Sequence, residues 1–233
     1  EKTGLNLETM PDDKAVYPDR PVVLDELKKH HLILLGRLDN NRAMWGAYNK
    51  FLAAADGYYP GAGGYVVRTA SNVYGNGANH IILGGSDDAG IRRAADEFAG
   101  MIESAEIPFL LKVELGGDCR KAFDADERRW AANPASAGPK LLEPGYGKVV
   151  RWYVNVMNYY WSGRESYKQR SREYLTEILK DQAYTHHYIV EFFVRAYDMV
   201  DHSDLFTPEE RSRLDALLKK NFMEFLTGPD LTW

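Results

Sequence analysis

The side chains best suited to moving a proton gather at His186-His187-Tyr188, with Glu191 about one helical turn further on. A histidine in the first turn of a helix meets the positive end of the helix dipole. That disfavours its cationic form and keeps it available as a general base. Tyr188 is a second candidate base. Glu191 and Asp198 stand seven residues apart on one helical pattern, and paired carboxylates are the device of glycoside hydrolysis. Glu191 also precedes Arg195 by four residues, the spacing of a solvated surface ion pair. A second group lies earlier, at Asn158-Tyr159-Tyr160-Trp161 with Arg164 close behind. Sugar rings stack on aromatic faces, and a guanidinium can meet a carboxylated sugar. The competing reading of these aromatics is core packing.

These residues need helices to position them, and from Val149 to Phe225 the sequence carries no strand signal. Apolar residues Ile189, Phe192, Phe193, Ala196 and Val200 recur at helical spacing. Thr207-Pro208-Glu209-Glu210 reads as a capping box with proline at the first helical position. Helices are expected over roughly 149–161 and 165–181, along the stripe Ile189 to Val200, which His186-His187-Tyr188 precedes or opens, and from 207 to Gly228-Pro229, joined as antiparallel hairpins.

The first half alternates strand and helix patterns. Strands are expected at Leu32–Gly36, Tyr65–Thr69, Ile81–Leu83 and Phe109–Leu115, with the second and third paired as a hairpin. Helices are expected over Asn40–Ala55, capped by Asn40 or Asn41, and along Ile91, Ala94, Ala95, Phe98 and Ile102. The expected fold class is α+β in two domains. Residues 1–118 form an α/β layer domain with a small mixed sheet, 119–148 a linker or wrap, and 149–233 an all-α region.

The stretch Asn79-His80-Ile81-Ile82-Leu83-Gly84-Gly85-Ser86-Asp87-Asp88-Ala89-Gly90 has the strand–glycine–helix layout of a phosphate cradle. Its glycine spacing does not fit a dinucleotide fingerprint, and no Gly-Lys-Ser/Thr follows. Asp87 and Asp88 would repel a phosphate, so a self-capped helix start is expected, with Ser86, Asp87 or Asp88 as the cap.

Composition narrows the remaining classes. The 233 residues carry 29 Lys and Arg against 34 Asp and Glu, a net charge of −5 that argues against nucleic acid as a partner. No apolar run reaches about 18 residues, so no membrane span is expected. Cys119 is the single cysteine, which excludes an internal disulfide and a cysteine-based zinc cluster. No His-Glu-x-x-His occurs, and neither metal nor cofactor is expected. The chain opens Glu1-Lys2-Thr3 and stops at Trp233 just after a helix-stop signal. The expectation is a piece of a longer protein.

Gly64-Tyr65-Val66-Val67-Arg68-Thr69, followed by Ile81-Ile82-Leu83-Gly84-Gly85-Ser86-Asp87-Asp88-Ala89-Gly90-Ile91-Arg92-Arg93-Ala94, resembles the small α/β domain that precedes the catalytic domain in α-glucuronidases and hexosaminidase-like glycoside hydrolases. The likeness covers roughly residues 30–115. The helical half resembles the start of an (α/α) toroid, as in heparinase-like and alginate-lyase-like polysaccharide lyases. The resemblance implies a polysaccharide or oligosaccharide partner, the remaining C-terminal part of a parent enzyme as a second partner, and a secreted or periplasmic setting. It implies catalysis by β-elimination on a uronic-acid-containing glycan, with His186, His187, Tyr188 and Glu191 as catalytic candidates. Asn158, Tyr159, Tyr160, Trp161 and Arg164 are the candidates for binding. A glycoside hydrolase piece and a non-catalytic carbohydrate-binding or scaffolding module remain alternatives.

Overall fold

The computed structural model describes residues 7–103, 106–133, 144–181, 187–200 and 203–227. The chain is mixed α/β and divides into two compact units, Glu1–Ala125 and Asp126–Trp233.

The first unit is built on a four-stranded mixed sheet in the order β1-β3-β2-β4. The strands are β1 (Leu32–Gly36), β2 (Tyr65–Ala70), β3 (His80–Gly85) and β4 (Leu111–Glu114). β1 runs parallel to β3, while β2 pairs antiparallel with both β3 and β4. Both faces of the sheet are covered, which is why β3 reads as a continuous apolar run. On one face Val67, Ile81 and Leu83 pack with Ala94 and Phe98 of the helix Asp88–Met101. On the other, Leu34, Val66 and Ile82 pack with Ala43, Met44 and Ala47.

Helix α1 covers Asp12–Ala15 and α2 covers Trp45–Asn49; Asp88–Met101 is α3. The helix expected over Asn40–Ala55 is therefore much shorter than its periodicity. Asn41 does cap it, its side chain accepting from Ala43 N at 3.0 Å, and a 3-10 turn over Arg42–Met44 leads into α2. The helix stops because Phe51 adopts a left-handed φ of 59° and Leu52 N turns back to Ala47 O at 3.0 Å. Gly46 and Asn49 are weak helix formers and offer little resistance to this stop. Part of the stretch 119–148, expected as a linker or wrap, is helical, within the 16-residue helix α4 (Gly117–Ala132).

The second unit consists of α5 (Pro144–Ser162), α6 (Glu165–Asp181), α7 (His187–Val200) and α8 (Pro208–Thr227), together with the end of α4. Gly163, at φ 65°, ends α5, and its N–H donates to Tyr159 O at 2.7 Å. That is the left-handed closure that glycine favours. The capping box is formed as expected. Thr207 N donates to a Glu210 carboxylate oxygen at 2.8 Å, and Glu210 N donates to Thr207 Oγ1 at 3.1 Å.

Helix directions follow from side-chain pairs. Lys168 reaches Asp204, Arg172 reaches Glu210, and Arg213 reaches Leu179 O, so α6 and α8 run the same way. α5 and α7 also run together: Trp152 lies against Phe193, 5.0 Å between ring centroids, and seven residues further along α5 Tyr159 reaches Asp204, just past the end of α7. α5 packs on both α6 and α7, and α8 on both α7 and α6. No helix among the described residues is long and apolar enough to cross a membrane.

Candidate functional site

The turn that looks like a phosphate cradle is filled by the protein's own carboxylate. Asp87 caps α3. One oxygen accepts from Gly90 N at 2.8 Å and the other from Gly63 N at 2.7 Å. These backbone donors hold its carboxyl below the usual carboxylate range. Ser86 Oγ accepts from Gly61 N at 2.9 Å, stitching the glycine loop to the same junction. Space is as tight as the electrostatics: a Cβ on Gly90 would stand 2.1 Å from Gly64 O. The helix terminus therefore has its anion already.

In the second unit, the residues expected to bind sugar lie at the C-terminal end of α5, but they face different ways. Tyr159 and Tyr160 are buried, at 6% and 1% exposure. Tyr159 Oη donates to Asp204 at 3.1 Å, and Asp204 also takes Lys168 Nζ at 2.5 Å. Burial first, then the Asp204 charge, pushes the Tyr159 hydroxyl well above its ordinary range. Lys168 holds Asp204 ionised by pulling its carboxyl down. Tyr159 is thus a neutral hydrogen-bond donor and not a base. Tyr160 packs edge-on against Trp161, 5.2 Å between centroids, and Trp161 is partly exposed. Asn158 is partly exposed, and its carbonyl accepts from Ser162 Oγ.

Arg164 does not project into solvent for a ligand. Its guanidinium is paired with Glu127 of α4, which also accepts from Ser166 Oγ. Next to this pair, Tyr167 Oη donates to Asp126 at 2.8 Å, and Arg170 lies over the rings of Trp130 and Tyr167, at 4.4 and 5.0 Å. Sequence reading missed Asp126, Glu127, Lys168 and Asp204. They are 36 to 45 residues from their partners, and no local pattern marks such pairs.

Of the catalytic candidates, His186 lies outside the described residues. His187 and Tyr188 open α7, one of the two placements the sequence allows, and their side chains lie outside the described residues too. Glu191 is exposed and pairs with Arg195 at 2.8 Å, the i,i+4 surface arrangement weighed from sequence. Because α5 and α7 run together, the start of α7 and the end of α5 sit at opposite ends of the hairpins. Twelve residues separate Tyr188 from Val200, and at the helical rise that is about 18 Å. The catalytic and binding candidates are not brought into one site. A cavity of about 250 Å³, lined by Leu179, Arg213, Ala216, Leu217 and Lys220, lies between α6 and α8.

No group of three or more His, Cys, Asp or Glu among the described residues is placed to hold a metal ion. Comparison with protein-family models, curated proteins and solved structures finds no match to the chain.

Proposed function

We propose that the chain is the N-terminal part of a polysaccharide-degrading enzyme: an α/β accessory unit followed by the opening hairpins of an (α/α) toroid. The reaction is β-elimination on a uronic-acid-containing glycan. The observation that carries this reading is the like-with-like packing of the helices. α5 lies alongside α7 and α6 alongside α8, with each pair parallel. Successive hairpins of a toroid set their inner and outer helices in this way.

In such a reaction a base removes the proton on the carbon next to the sugar carboxylate. The electron pair forms a carbon–carbon double bond as the glycosidic C–O bond breaks, and the leaving oxygen takes up a proton. His187 or Tyr188, at the start of an inner helix, is the base in this reading. Tyr159 does not take that role, because it is buried and its hydroxyl donates to Asp204.

A second reading, a carbohydrate-binding module without turnover, is favoured by one observation: the two candidate groups lie at opposite ends of the hairpins. One experiment separates the readings. The protein is mixed with a polyuronate and with a neutral glucan, following near-ultraviolet absorbance, reducing ends and calorimetric binding. The elimination reading expects polyuronate binding and growing absorbance from the unsaturated product. Reducing ends without absorbance mean hydrolysis, and binding with neither means a binding module. Absence of binding to both polymers overturns every carbohydrate reading.

A further inference from the structure

The segment 71–79, which joins β2 to β3, is fastened at its base by two histidines. His80, the first residue of β3, is fully buried at 0% exposure, and neither ring nitrogen has a hydrogen-bond partner. Its ring stands edge-on to Tyr74, 5.3 Å between centroids. The Tyr74 hydroxyl is likewise buried without a partner and lies where Gly46 leaves room, since a Cβ there would come within 2.6 Å. His31, just before β1, is exposed, and its Nδ1 accepts the N–H of Asn79 at 3.0 Å. A nitrogen that accepts a hydrogen bond carries no proton, so this bond requires an unprotonated Nδ1.

Asn79 then carries the rest of the junction. Its carbonyl accepts from Leu32 N at 3.1 Å and its Oδ1 from Asn72 N at 2.9 Å. The segment itself is held by asparagine side chains: Gly77 N to Asn72 Oδ1 at 2.7 Å, and Asn76 Nδ2 to Lys28 O at 2.7 Å.

The charges that act on His80 are those of His31 and Lys50, and its ring neighbour Tyr74 is a neutral phenol. His31 precedes β1. Arg68 of β2 shares the His80 face of the sheet, being opposite Ile82 in the register. Lys50, after α2, donates to Val73 O. Lys28 lies 5.4 Å from the Tyr74 ring centroid. Asp25 pairs with Lys28 at 2.6 Å, but its side chain is 72% exposed. Burial, then the charges of His31 and Lys50, hold the His80 imidazole down at about 4.

We propose that the segment 71–79 is an acid-released latch, held shut by the neutral forms of His31 and His80. A proton on His31 Nδ1 removes the acceptor for Asn79 N–H. A proton on His80 creates a buried cation beside the charge of Lys50, and among the described residues no carboxylate is buried to meet it. Lifting the segment hydrates His80. It leaves the opposite face of the sheet intact, where Val67 and Leu83 pack on Ala94 and Phe98.

The test is amide NMR on the whole protein, followed from about pH 7 down to about pH 4. Amides of residues 72–79 are expected to move to random-coil positions at higher pH than those of Val67 and Leu83. His80→Phe keeps a ring against Tyr74 and is expected to lower the opening midpoint by about one pH unit or more. Adding His31→Asn, which retains an acceptor without a titrating proton, should keep the segment shut across the range. The latch is overturned if the segment stays ordered throughout, if it melts in step with Val67 and Leu83, or if His80→Phe leaves the profile unchanged. Should that variant not fold, the His80 ring carbon shifts of the unaltered protein decide. Titration together with the segment's opening supports the latch, and any titration of the ring with the segment still shut overturns it.

Discussion

Asp87 of the sheet unit and Glu127 of the helical unit are carboxylates held in opposite ways. In the sheet unit Asp87 is satisfied by backbone donors, three residues away at Gly90 and across a tight loop at Gly63. Asp56 likewise accepts from the backbone of Tyr58 and Tyr59, at 2.7 and 2.8 Å. In the helical unit Glu127 meets Arg164 across 37 residues, Glu210 meets Arg172 across 38, and Asp204 meets Tyr159 across 45. A carboxylate held by backbone N–H groups is fixed once its loop forms. One held by a side chain on another element is fixed only once those elements have packed. The first unit should therefore be intolerant of small backbone changes, and the second should lose stability through pairs.

The strongest way to break this contrast is Gly90→Ala. The new Cβ would meet Gly64 O, a backbone atom, at 2.1 Å, and Gly85 Cα at 3.3 Å. Neither can rotate away, so a loss of about 3 kcal/mol or more is expected in urea denaturation. Gly100, on the same helix, is the control: nothing lies within 4 Å of its Cβ position. Gly100→Ala should stabilise by up to about 1 kcal/mol. Equal effects at the two glycines would mean that backbone closeness does not govern the sheet unit.

Acid supplies the next largest effect. The His80 imidazole, 6.5 when unhindered, is held at about 4 in the fold. Between those values the unfolded chain binds more protons than the folded one. Stability is therefore complete above about pH 6.5 and drains away as pH falls towards 4. The total is at most about 3 kcal/mol, at roughly 1.4 kcal/mol per pH unit, and opening of the segment 71–79 caps it at the cost of that opening. Denaturation midpoints across this window measure it, and His80→Phe should flatten the slope. The helical pairs sharpen the other side of the comparison. A double-mutant cycle on Glu127→Gln and Arg164→Ala should give a coupling of about 1–2 kcal/mol, since both side chains are mostly shielded, at 29% and 21% exposure.

The same contrast explains what could be read from the sequence. The β-strands, α3, α6 and the Thr207–Glu210 box carry their signals within a few residues, and each forms near its expected place. The Asp87 cap was equally legible, because it acts on its own helix. The helix over Asn40–Ala55 was overread, because apolar spacing does not register the left-handed Phe51. Asp126, Glu127 and Asp204 were invisible as partners for the opposite reason: only the packing of four helices brings them to Tyr167, Arg164 and Tyr159. Trp161 and Arg164 looked alike as ligand contacts, yet Trp161 stays partly exposed while Arg164 is committed to Glu127.

The smallest stability change falls at Glu191, and it bears most directly on function. Its pair with Arg195 is open to solvent, with side chains 53% and 55% exposed, and such i,i+4 pairs contribute under about 0.5 kcal/mol. Glu191→Gln should leave the denaturation midpoint almost unmoved, and the residual effect should fade in high salt as the pair is screened. If Glu191 assists the proton transfer proposed at His187 or Tyr188, the same variant lowers polyuronate turnover by tenfold or more, within the roughly 10²–10⁴ range of general acid–base catalysis. Unchanged turnover with unchanged stability returns Glu191 to the solvated face of α7. In that case the search for the chemistry of the helical unit narrows to the first turn of α7.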